Sequence, residues 1–106
     1  MSRNQTVVTA LVSSGQVSCV IAQTVTDILG EAASSFFFKL LDRRFSVMDS
    51  EIATKPEALS SLLRELFGSG AKAIERCIVN NLSTQFDPQL STKEFLEAID
   101  QLSNRA

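Results

Sequence analysis

The stretch Phe67-Gly68-Ser69-Gly70-Ala71-Lys72 is the part of the chain that most suggests ligand chemistry. Glycines ahead of a helix, with a lysine in its first turn, can offer backbone N–H groups and a cation to a phosphate. The P-loop spacing fails, however. That loop needs GxxxxGK followed by Ser or Thr after a strand, whereas Lys72 is followed by Ala73 and no strand pattern precedes it. The segment therefore reads as a helix junction. Asp49 and Glu51 sit in a connector that lacks the Asp-rich twelve-residue calcium loop and its central Gly. Glu65, Glu75 and Arg76, and then Glu94, Glu97 and Asp100, fall on polar helix faces, where charges serve solubility and local ion pairing. The chain has no His, Tyr or Trp, which removes the commonest proton shuttle and makes a Ser-His-Asp arrangement impossible within it. Cys19 and Cys77 are far apart, with no CxxC, so neither a zinc site nor a thioredoxin-like motif is available. Both cysteines are expected to be small apolar core residues in a reducing compartment, the cytoplasm. No catalytic residue, cofactor or metal site is expected, and the chain reads as non-enzymatic.

The 106 residues suit one domain with one core, and 44% hydrophobic with 21% charged residues is a globular composition. Ten Lys and Arg stand against twelve Asp and Glu, and each half of the chain carries one net negative charge. No basic patch emerges, which disfavours binding dominated by a phosphate backbone. Lys72, Arg76, Asn80 and Asn81 could share an exposed helix, but Glu75 lies among them, so a nucleic-acid-binding regulator is kept only as the alternative. Residues 4–26 carry no charge at all. Twelve of them are polar residues or glycine, so neither a membrane span nor a signal peptide is expected.

Any such side chains must be positioned by helices. Val17, Val20, Ile21, Val25, Ile28 and Leu29 recur at three- and four-residue steps and predict a helix from Gln16 that ends at Gly30. A second is expected from Glu31 to about Arg44, burying Ala33, Phe36, Phe37, Leu40 and Leu41. FSVMDSEIA reads as a connector with at most a short helical turn. Thr54-Lys55-Pro56-Glu57 has the spacing of a capping box and opens a helix that buries Leu59, Leu62, Leu63, Leu66 and Phe67 before Gly68 closes it. A fourth helix carries Ala71, Ile74, Cys77, Ile78 and Leu82 inward until Asp87-Pro88 breaks it. Ser91-Thr92-Lys93-Glu94 forms a second box ahead of a last helix that buries Phe95, Leu96, Ile99 and Leu102. Residues 1–15, including the β-branched run VVTALV, read as an arm or an extra helix. The fold class expected is all-α, a four- to five-helix bundle spanning residues 1–106. Matching Gly30 with Gly68, Ala33 with Ala71 and Phe36 with Ile74 suggests two helix–Gly–helix units, whose small residues would let the pair approach closely.

DILGEAASSFFFKLLDRRF together with EIATKPEALSSLLRELFGSGAKAIERCIVNNLSTQF resembles a family of small archaeal helical domains, the Nitrosopumilus output domain. The likeness spans roughly residues 17–86 and is most specific in LFGSGAKAIERCIV. The resemblance implies an all-helical domain, found alone or attached to signalling proteins, and supplies no catalytic residues. It departs at the polar, uncharged N-terminus and at the run of three phenylalanines.

Phe36, Phe37 and Phe38 cannot share one narrow face, because consecutive helical residues lie about 100° apart. With Phe36, Leu40, Ala33, Phe37 and Leu41 assigned to the core, Phe38, Leu41 and Phe45 make a second apolar strip beside it. That strip is the expected interface of a homodimer, and the chain reads as a protein-interaction or signalling-output module.

Overall fold

Ser13 opens the first helix with a reciprocal cap. Its Oγ accepts from the Gln16 N–H at 3.1 Å, and Gln16 Oε1 accepts from the Ser13 N–H at 2.9 Å, satisfying two of the amides a helix start leaves free. In the computed structural model, which describes residues 13–103, helix α1 (Ser14–Leu29) leads through Gly30 into α2 (Glu31–Phe45). A 3-10 segment, η1 (Asp49–Thr54), precedes α3 (Pro56–Phe67) and α4 (Gly70–Gln85). A second 3-10 segment, η2 (Pro88–Thr92), leads to α5 (Phe95–Ser103). No strand occurs among the described residues, and the fold is all-α. Residues 1–12, with VVTALV, lie outside the described residues.

Both expected glycine junctions are present. Gly30 has φ 87° and ψ 165° and Gly68 has φ 55° and ψ −123°, regions that side-chain-bearing residues avoid. Nothing lies within 4 Å of where a Cβ would stand at either one, so the dihedral angles and not close approach require glycine. Ala71 is buried while Ala33 is exposed, so the small residues after the two glycines do not play matching roles.

Neither expected capping box forms. Thr54 closes η1, where its Oγ1 donates to the Glu51 carbonyl at 2.6 Å, and Lys55 occupies the N-cap of α3 with no side-chain cap. Ser91 and Thr92 belong to η2, and α5 starts at Phe95. In both places a 3-10 turn has taken up the residues that the spacing offered as caps.

α1 lies against α2, α4 and η1, which explains why its sequence carries so little charge. Its buried residues are Val17, Ser18, Val20, Ile21, Thr24 and Val25, an arc wider than one stripe. The connector contributes to the core as well, through Val47, Ile52 and Ala53. Ile28, Leu66, Phe67 and Leu96, all expected inside, are exposed. Three polar contacts that are buried or part-buried cross between elements. Ser18 Oγ accepts from the buried Ala53 N–H at 2.9 Å, Asn81 Nδ2 donates to Thr24 Oγ1 at 2.8 Å, and Ser60 Oγ donates to Glu75 Oε2 at 2.7 Å. Every buried side-chain N or O among the described residues has a hydrogen-bond partner.

Candidate interaction surface

The three phenylalanines take three different environments. Phe37 is 1% exposed in the core, Phe38 is half-buried with its ring edge-on to Phe37 at 5.5 Å, and Phe36 is 62% exposed. The inward face of α2 is Ser34, Phe37 and Leu41, flanked by Phe38 and Phe45. That is roughly 80° away from the arc the sequence suggested, at about 100° per residue. Ser34 can face inward because its Oγ donates to the Glu31 carbonyl at 3.1 Å. The expected interface strip is corrected accordingly. Leu41 is fully buried and unavailable to a partner, while Phe38 and Phe45 pack against the core with part of each ring showing. Phe36 is the ring that the core leaves over.

Around Phe36 the outward side of α2 carries Ala32, Ala33, Lys39 and Arg43, all exposed, and the half-buried Leu40. A hollow of about 460 Å³ opens on this side, lined by Phe36, Lys39, Leu40, Asp42 and Arg43. One face thus offers both a projecting aromatic ring and a recess beside it. The next residue along, Arg44, is tied to Glu65 of α3 by a hydrogen-bonded ion pair, and its guanidinium lies 5.9 Å from the centre of the Phe45 ring. The hydrogen bond from Arg44 holds the Glu65 carboxyl below its ordinary range, and the same bond raises the guanidinium of Arg44.

The other side of α2 borders a groove shared with α1 and η1. A cavity of about 620 Å³ has Cys19, Ala22 and Phe38 among its walls, and a smaller one of about 290 Å³ continues it past Ser35, Phe38 and Asp49 to Met48. Cys19 and Cys77 are both exposed free thiols, which corrects their expected place in the core. On α4 the inward positions next to Ile74 and Ile78 are taken instead by Glu75 and Val79. Glu75 is only 8% exposed and was read as a surface charge, and its partner Ser60 gave no signal in the sequence.

The residues considered for phosphate or nucleic acid are partly committed within the fold. Arg76 donates to the Ser91 and Lys93 carbonyls at 2.6 and 2.7 Å, clasping the approach to α5, and Asn81 is held by Thr24. Gly70 is the first residue of α4, as a helix junction requires.

No family model, curated protein or solved structure matches this chain. The fold and its surfaces therefore carry the functional argument. No helix among the described residues is long and apolar enough to cross a membrane.

Proposed function

We propose that the chain is a non-enzymatic protein-interaction module, of the signalling-output kind, that works as a homodimer through the outward side of α2. The observation that carries this reading is Phe36, 62% exposed beside a hollow that it helps to line. A ring and a recess on the same patch suit a two-fold pairing, in which each copy offers the other what it lacks. In an antiparallel arrangement of two α2 helices, Phe36 meets Leu40 of the second copy. Ala32 and Ala33 then leave room for the long stems of Lys39 and Arg43, which cover apolar surface while their charges stay in water. Large aromatic side chains are favoured as anchors at interface centres. A stable dimer buries roughly 800 Å² on each copy. Phe36 alone provides a fraction of that, so the pairing is of the weak, transient kind. The two free thiols fit a reducing, cytoplasmic setting.

The test is sedimentation or light scattering across protein concentration, paired with circular dichroism. The wild-type protein should pass from monomer to dimer with rising concentration, and Phe36→Asp should stay monomeric with unchanged helicity. A wild-type protein that remains monomeric at the highest concentration overturns the homodimer. A dimer unaffected by Phe36→Asp moves the interface away from α2.

A further inference from the structure

We infer that the groove between α1, α2 and η1 is a second docking site, adjoining the Phe36 face at Lys39 and Asp42, and that it receives a cationic amphipathic helix. The two cavities that compose it share Ser35, Phe38 and Asp49, so they form one continuous depression. Its apolar surface comes from Ala22, the exposed part of Phe38 and Met48, which is 57% exposed. Methionine and aromatic side chains in a groove accommodate the apolar stripe of a helix because the thioether adapts its shape.

Charge decides which helix. Glu31, Asp42 and Asp49 line the groove against the single Lys39, which leaves two net negative charges. Carboxylates beside an apolar depression attract a partner whose polar side bears Lys or Arg, and they repel an acidic one.

Cys19 provides the readout, since it is an exposed thiol in the wall of the groove. Cys77 is equally exposed but lies on α4, outside both cavities, and serves as the internal reference. The experiment measures the labelling rate of each thiol on the full chain, with and without a synthetic helix of Leu on one side and Lys on the other. Saturating peptide should slow Cys19 labelling by about tenfold or more while leaving Cys77 unchanged, as burial of one thiol requires. The Glu31→Lys, Asp49→Lys double variant, altered only at exposed positions outside the Phe36 hollow, should weaken the peptide by about tenfold or more through like-charge repulsion. Three results overturn the inference. Equal protection by a Leu and Glu peptide removes the charge argument. Protection that grows with protein concentration and needs no peptide assigns the groove to a second copy. A Cys19 that labels slowly in the full chain, and rapidly once residues 1–12 are deleted, assigns it to the chain's own leading segment.

Discussion

The hydroxyl of Ser18 accepts the amide proton of Ala53 where neither residue reaches water, and so joins α1 to a segment 35 residues further along. Replacing that serine with alanine takes nothing from the apolar packing but leaves a buried N–H without an acceptor, which costs about 1–3 kcal/mol. Ser18→Ala should therefore lower the denaturation midpoint clearly. Ser61→Ala, at an exposed position of α3, should stay within about 0.5 kcal/mol of the wild type. Equal effects from the two would show that the hydroxyl is not where the fold places it. Nothing in the local sequence separates Ser18 from its neighbours Ser13 and Ser14. The lack of charge over residues 4–26 was weighed only against a membrane span, whereas the part of it in α1 lies against three other elements, where the buried Ser18 and Thr24 each find a partner. Cys19, one position on, turns about 100° away and is exposed, so its residue type alone could not place it.

Helix ends divide into those marked by backbone chemistry and those marked by side chains. Gly30, Pro56 and Gly68 were readable because their roles depend on φ or on a missing N–H, which neighbours cannot supply. The Thr54 and Ser91 boxes were misread because any Ser or Thr three residues ahead of a Glu fits the pattern, whether the backbone between them is α or 3-10. A cap series tests the reassignment. Ser13→Ala should cost about 0.5–2 kcal/mol, since both halves of its box are formed. Thr54→Ala and Ser91→Ala, at exposed positions without an N-cap bond, should each change stability by less than about 0.5 kcal/mol. The reverse order would restore the original helix starts. Periodicity was as informative about arc as it was silent about phase. In α2, apolar residues at 36, 37, 38, 40 and 41 cover more than half of the helix, and only Phe45, one residue beyond the expected end, together with the inward Ser34, selects the true side. The all-α class and the core positions of α3 up to Leu63 were legible because a single clear stripe leaves no such choice.

Across the whole molecule, the ion pair between Arg44 and Glu65 links the two helix–Gly–helix units at the surface. Glu65 has a folded-state pKa below its unfolded value, so its contribution is present above the unfolded carboxylate pKa of about 4.3 and is lost as pH falls through the lowered value. Both side chains are close to half exposed, so the effect is small and fades with salt. At low salt, the wild type should exceed Glu65→Gln in denaturation midpoint at pH 7, and the difference should disappear once the pH has fallen below the lowered Glu65 value. A difference that persists in acid would show that packing and not charge is responsible. The polar contacts that α1 makes with η1 and α4 have a consequence of another kind. Val, Ile and Leu stripes are nearly interchangeable from one turn to the next, so α1 shifted by a turn along α4 and η1 would recover much of its apolar contact. The shifted alignment would also leave the Ala53 amide enclosed without its hydroxyl partner and would part Thr24 from Asn81. Ser18 and Thr24 therefore work as register marks: they add little attraction of their own, yet they penalise every alignment but one, and so separate the native packing from its near copies.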